Sequence, residues 1–375
     1  MNEMNLNQLQ IRLSKWLTRK TSNSAIRRIG DLPITIGSDI GSVRSENQDR
    51  VAVLKMQDGP NQSFSIAVLC DGMGGMVEGT TCAAQAIASF LASFCFFCGI
   101  APAERMVRAA HEANRTVYSL YHGKGGATLS AVLFDSKGDM IGVNVGDSRI
   151  YSYQQNVLGQ LTVDDTMAGL LPQAEDNIRL RNELLQFVGI GEGLDPHVVN
   201  IPASQELILL TSDGVHFLDK NILQMVIRSA NEPAIAARRV IESANAAAIA
   251  ARRIIEIAKW CGGRDNASIA IATPMESQLK KVEDSEVIQV WDPFGELQVI
   301  ISGSICNGLI KKDSLLGTPP VVNGRKSPKK REKAKPNKRK KSVDDIPQEK
   351  NKKTEIEQPQ LKIFFDKSST EERHA

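Results

Sequence analysis

Two apolar runs, residues 129–134 and Met140–Val145, are separated only by a short stretch containing the turn-formers Asp135-Ser136-Lys137-Gly138. So short a link favours an antiparallel hairpin over a βαβ unit, which needs a crossover of a dozen or more residues. Further strand-like runs cover residues 66–70, 150–153, 206–211 and Ala267–Ala272. Helix-like runs are longer and stand apart, at residues 80–97, 103–121 and 223–259. Strands grouped in hairpins with separate long helices predict an α+β layered sandwich.

The region carrying this pattern, residues 31–275, is predicted to be the main domain. Ahead of it, Leu6, Leu9, Leu13, Trp16 and Leu17 recur at helical spacing. Residues 1–30 therefore predict an amphipathic helix and a linker, the helix packing on its own domain or on a membrane face or partner. Behind the main domain, residues 286–292 and 296–301 flank Pro293-Phe294-Gly295 and predict a hairpin extension over residues 276–310. One internal repeat stands out: AIAARRVIE from Ala234 recurs as AIAARRIIE from Ala248, 14 residues later. At about 100° per residue the shift returns nearly to the same helix face, which predicts a single lengthened helix.

The net charge of +3 conceals an uneven distribution. Eleven Lys/Arg and one Glu lie between Arg325 and Lys341, so the body of the chain is acidic and the tail basic. Residues 311–360 hold few apolar groups and read as a disordered linker, whose basic run would bind nucleic acid or an anionic surface through phosphate neutralisation. The apolar cluster Leu361, Ile363, Phe364 and Phe365 reads as a docking peptide within residues 361–375. Cys95 and Cys98 have the CxxC spacing inside an apolar run, which predicts a buried, reduced pair rather than a metal or redox site. No signal-peptide pattern and no span of roughly 20 apolar residues is visible, so a cytoplasmic location is expected.

Five aspartates sit beside small or turn-forming neighbours at the ends of apolar runs: Asp49 in ENQDR, Asp71 in LCDGMGG, Asp147 in VGDSR, Asp213 in TSDGV and Asp265 in GRDNAS. A single Asp-Gly at a strand end is ordinary turn chemistry. Five in one domain, without a basic run to neutralise them, point to cations, because clustered carboxylates cannot all ionise alone. An oxygen-only set selects hard metals, Mg²⁺ or Mn²⁺.

With the blocks SDIGSVRSENQDR, AVLCDGMGGMVEG, GGATLSAVLF, VNVGDSRIYSY, LTVDD, ELILLTSDGV and GGRDNASIAIAT in this order, the chain resembles the PP2C-type (PPM family) protein serine/threonine phosphatases, particularly their bacterial forms. The resemblance implies a four-layer αββα sandwich of two antiparallel sheets flanked by helices. It implies two divalent cations, Mn²⁺ or Mg²⁺, with a possible third and weaker site. Asp71 would bridge the two metals, with the Gly72 carbonyl joining it on the second; Asp213 and Asp265 would complete the first. Asp49 and Asp147 fall where the family places weaker or water-mediated ligands, and Arg44 where an arginine grips the substrate phosphate. The reaction implied is hydrolysis of phosphoserine and phosphothreonine by an activated water. The implied partners are phosphoprotein substrates and a cognate kinase.

The sequence departs from the family pattern at Gln48, where a Glu is usual, and at Asp165, where a His is frequent. An amide oxygen ligates without charge, so the second metal is expected to bind more weakly. Met73 replaces a His that some members carry, and residues 166–183 form a short version of the family's flap. A catalytically weak phosphoprotein-binding scaffold is the alternative that Gln48 leaves open.

Overall fold

The computed structural model describes residues 6–30, 32–58, 62–73, 78–170, 183–231, 239–274 and 287–300. They fall in one compact unit, residues 1–316. The basic run, the expected linker 311–360 and the apolar cluster near the C-terminus lie outside the described residues.

Two antiparallel sheets form the centre. The first has the order β1 (Ser24–Arg28), β2 (Ile34–Asp39), β11 (Ala267–Ala272), β10 (Leu207–Thr211), β7 (Arg149–Gln154), β8 (Val157–Gln160). The second runs β13 (Gly295–Ile300), β12 (Val287–Asp292), β3 (Arg50–Gln57), β4 (Ser63–Cys70), β5 (Leu129–Asp135), β6 (Met140–Val145), β9 (His197–Ile201). Helices α1 (Leu6–Leu17), α2 (Gly79–Phe96) and α3 (Pro102–Tyr121) cover the second sheet. Helices α6 (Lys220–Asn231) and α7 (Arg239–Trp260) cover the first, and the short helices α4 (Met167–Leu170) and α5 (Asp213–His216) lie in connections.

Three apolar cores separate these four layers, as a helix or sheet that buries each apolar face requires. Ile36, Val53, Leu69, Val132, Ile208 and Ala270 fill the space between the sheets. Strands buried on both faces lose the alternation of half-exposed strands: β4 is buried at every position. That is why residues 66–70 read as a continuous apolar run. Helix α2 is long and apolar enough to cross a bilayer by length and composition, yet most of it is buried inside the protein.

The antiparallel register brings the strand ends that carry the aspartates to one edge. Arg50 pairs with Cys70, which sets the residues before β3 beside those after β4. Leu129 pairs with Val145, and Thr211 pairs with both Arg149 and Ile269. Ala267 pairs with Asp39. The Ser212 hydroxyl joins the two sheets at this edge, donating to the Asp49 carboxylate at 2.7 Å.

Three expectations need correction. Residues 223–259 are not one helix: α6 and α7 pack against each other, and Arg253 donates to Ser229, 24 residues earlier, so the chain has folded back. A helix continued through Pro233 would lack a backbone donor, a signal that the repeat masked. Residues 24–28, expected in a linker, form β1 on the edge of the first sheet, fully paired with β2. Finally, Cys95 and Cys98 are not a reduced pair. Cys95 is free and sealed on the buried side of α2, its thiol pushed up to about 12 by burial, whereas Cys98 lies beyond the helix end and is disulfide-bonded.

Candidate active site

Each aspartate leaves or enters the sheet edge by its own route. Asp49 is the last residue before β3 and is almost fully buried. Its Oδ2 accepts from Ser212, while its Oδ1 is buried with no hydrogen-bond partner. Asp71 follows β4 directly; its N–H donates to Thr128 Oγ1 and its carbonyl accepts from the Thr128 N–H, both at 2.9 Å. Asp147 follows β6 by two residues, and Asp213 opens α5 at the end of β10. The Asp213 Oδ1 is also buried and unpartnered. Asp265 lies two residues before β11 and accepts from Arg44 at 2.5 Å.

The carboxylates act on each other. Burial, then the charges of Asp49, Asp213, Asp147 and Asp265, hold the Asp71 carboxyl well above the usual range. Asp49 is pushed up to about 7, chiefly by burial and also by Asp213 and Asp265. Asp147 is likewise raised to about 7 by burial and by Asp213. Asp213 reaches about 6, raised by burial and by Asp265 and restrained by a hydrogen bond with Asp71. Each of these carboxyls is thus held in its neutral form more strongly than a lone carboxyl would be, a repulsion that a cation among them would relieve.

These residues fit hard divalent cations. Two buried carboxylate oxygens lack any donor, a costly condition that a cation relieves. A side chain at Gly72 would collide with the Gly79 carbonyl and press on the Gln48 carbonyl. Only glycine lets the backbone pass this close. Among the described residues no three His, Cys, Asp or Glu side chains form a ready-made ion cage. Mg²⁺-like ions suit such a site, because they keep several waters and take only one or two carboxylates each.

All eight residues singled out in the sequence belong to this edge. Asp71 and Asp213 bond directly, and Asp49, Asp147 and Asp265 act on them through charge. Gly72 and Gln48 meet through a backbone hydrogen bond at 3.3 Å, and the Gln48 side chain lies against Gly79. Arg44 reaches the cluster through Asp265.

The supporting residues escaped the sequence reading. Asn266 accepts from the Gln48 N–H and donates to the carbonyls of Ile40 and Glu46, stapling the loop between β2 and β3. Ser212 donates to Asp49, and Thr128 and Ser148 bond each other at 2.7 Å beneath Asp71. All of them sit inside the blocks TSDGV, GRDNAS, GGATL and VGDSR. Only their neighbours with charge attracted notice. Asp165 has a role of its own: it accepts from the Gly146 N–H and pairs with His197, fixing the turn that carries Asp147. Of the expected flap, residues 171–182 lie outside the described residues.

In its fold and in this edge of carboxylates the chain is similar to the PPM serine/threonine phosphatases, bacterial examples among them. Among known proteins, the chain is 28% identical over 197 residues to the serine/threonine phosphatase Stp of Listeria welshimeri, spanning 48% of this chain and 75% of that one. It is 27% identical over 306 residues to the protein phosphatase PstP of Mycobacterium tuberculosis, spanning 77% and 50%. The PPM Ser-Thr phosphatase MsPP of Mycobacterium smegmatis, solved with cacodylate, superposes with a TM-score of 0.50 at 26% identity, over 64% of this chain and 98% of that one. The fold is also that of Stp1 from Staphylococcus aureus, with a TM-score of 0.52 at 19% identity over 64% and 94%. No family profile matches the chain.

Proposed function

We propose that this protein hydrolyses phosphoserine and phosphothreonine in other proteins, using two divalent cations, Mn²⁺ or Mg²⁺. The observation that carries this reading is the convergence of Asp49, Asp71, Asp147 and Asp213, all held above the normal carboxylate range, with two buried oxygens awaiting a partner.

Asp71, the Gly72 carbonyl, Asp213 and Asp265 would hold the pair, with Asp49, Asp147 and the neutral Gln48 in outer positions. When bound, the cations supply an activated water and positive charge for the phosphoryl oxygens. The chain's own residues do the rest. Ser212 fixes one oxygen of Asp49 and leaves the other buried without a hydrogen-bond partner. Asn266 holds the loop that carries Gln48. Arg44 is the exposed cation of the site, with 39% of its side chain accessible, and its planar donors suit a phosphate monoester. To take that phosphate it exchanges one anion, Asp265, for another.

The substrates are phosphoproteins, and a serine/threonine kinase of opposite action is the natural counterpart. A cytoplasmic location suits such a pair. The basic run between Arg325 and Lys341 would add weak, salt-sensitive attraction to anionic surfaces. The test is release of phosphate from a phosphothreonine peptide with Mn²⁺, with and without chelator. Turnover that chelator abolishes supports the reading; bound Mn²⁺ without turnover favours the scaffold alternative.

A further inference from the structure

Helix α1 and the β12–β13 hairpin lie outside the stretch that carries the family's sequence blocks, yet they are built into the domain together. Leu9, Leu13 and Leu17 of α1 share one apolar cluster with Ile288, Val290 and Val299 of the hairpin and with residues of α2. Arg19, just past α1, grips Asp292 with two bonds of 2.7 and 2.8 Å, and its guanidinium stacks 4.2 Å from the Trp16 ring. The hairpin extends the second sheet by pairing β12 with β3.

One residue connects this appended unit to the active-site edge. Arg50, the first residue of β3, donates from Nε to the Leu17 carbonyl at 2.8 Å. Its Nη1 donates to the carbonyls of Asn47 at 2.8 Å and Asp49 at 2.7 Å. Leu17 ends α1, where carbonyls lack helical partners and a positive charge is favoured. Asn47 and Asp49 flank Gln48. Within the same loop, Asn47 accepts from the Asp49 N–H and donates to Ser38. A single guanidinium thus closes the end of the helix and fixes the backbone on both sides of Gln48.

We infer that Arg50 is a positioning residue through which docking of the N-terminal helix sets the affinity of the Gln48–Asp49 side of the site for its divalent cation. This inference rests on the metal-dependent reading above. Gln48 gives the loop an extra need for such support: an uncharged ligand position depends more on geometry than a carboxylate would. Arg50 touches neither substrate nor ion. It acts by holding two carbonyls and, through them, the direction of the Asp49 carboxylate. Among the described residues, the hydrogen bonds of the Arg19 side chain go to α1 and the hairpin, so it reports whether docking of the helix itself matters.

The test compares the full-length wild type with Arg50→Gln, Arg50→Lys, Arg19→Ala and the Arg50→Gln/Arg19→Ala double variant. Two readings are taken: Mn²⁺ binding followed by calorimetry and by the Mn²⁺-induced rise in melting temperature, and kcat at saturating Mn²⁺. Arg50→Gln is expected to raise the Mn²⁺ concentration for half-binding about tenfold, the usual cost of losing an outer-sphere support. Its kcat at saturating Mn²⁺ should change far less. Arg50→Lys should recover part of the affinity, since an ammonium still reaches one carbonyl. Arg19→Ala should shift the midpoint in the same direction, and the double variant should be no weaker than Arg50→Gln alone, because both changes act along one connection.

A Mn²⁺ midpoint unchanged in Arg50→Gln, despite a lower melting temperature, overturns the inference, as does full additivity in the double variant. If Arg50→Gln fails to fold, Arg19→Ala decides alone: an unshifted midpoint then rejects it. Wild type that binds Mn²⁺ but releases no phosphate sinks the phosphatase reading and leaves the binding comparison valid. Wild type that binds no Mn²⁺ sinks both.

Discussion

Arg44 Nη2 lies 2.5 Å from Asp265 Oδ2, so the residue expected to hold substrate phosphate is engaged by a residue expected to hold metal. The pair is self-neutralising. Arg44 balances Asp265 in this structure, and a cation held by Asp265 would free the guanidinium for a phosphate. About a third of each side chain remains accessible, so such an exchange would not require the loop to unfold.

Arg44→Ala should therefore raise KM for a phosphopeptide by about tenfold or more, the value of a lost charge-assisted pair. Mn²⁺ binding should not weaken, because the competitor for Asp265 is gone. Stability should barely move, since exposed ion pairs contribute little. Steady-state kinetics alongside a Mn²⁺ titration checks both halves; an unchanged KM would remove Arg44 from substrate binding.

Asp71→Asn should reduce turnover by about two orders of magnitude or more, as loss of a central electrostatic group does. In metal-free protein the same change should raise the melting temperature, because one member of a repelling cluster becomes neutral. Opposite effects on activity and on stability would mark Asp71 as functional; a fall in both would make it merely structural.

The pH dependence of stability should change sign with metal. Asp49 and Asp147 sit near 7 and Asp213 near 6 in the fold, all raised above the ordinary carboxylate value. The native state thus binds protons more tightly than the unfolded chain. The stabilisation from this source is full below about pH 4 and is lost as pH rises through 6 to 7. Metal-free protein should melt progressively lower across that window. With Mn²⁺, deprotonation favours binding, so the melting temperature should rise instead. Thermal melts at stepped pH, with and without chelator, separate the two cases.

Far from the site, Arg105 is almost wholly buried, donating to Asp58 at 2.5 Å and to the Phe94 carbonyl, with its guanidinium 4.1 Å from the Phe94 ring. Arg105→Met should cost about 3–5 kcal/mol, because one partner of a buried pair is left uncompensated. Chemical denaturation measures this directly. The Mn²⁺ midpoint should be unaffected, which distinguishes it from changes at Arg50.

Much of the fold was legible because hairpin links and buried strands leave local traces: residues 140–145 and 267–272 match β6 and β11 end to end. The aspartates of the candidate site stood out for a similar reason, each placed where an apolar run meets a turn. Residues 223–259 misled because an apolar stripe at helical period survives a chain reversal; packing of Arg253 on Ser229 depends on the partner helix, which periodicity does not encode. Ser212, Asn266 and Arg50 were illegible in another sense. A serine, an amide or an arginine has no fixed meaning until its partner is known, and those partners lie 163, 218 and 33 residues away.

The sequence by itself determined the layered α+β class, the bounds of β6 and β11 and the placing of the aspartates at the ends of apolar runs, because these follow from local hydrophobic pattern and turn chemistry. Only the tertiary structure decided which carboxylate oxygens stay unpartnered, which carboxyls raise one another's pKa, and that the N-terminal helix reaches the loop carrying Gln48 and Asp49 through one guanidinium. Burial and distance between segments remote in the chain set those properties, and neither quantity exists until the sheets have closed on each other.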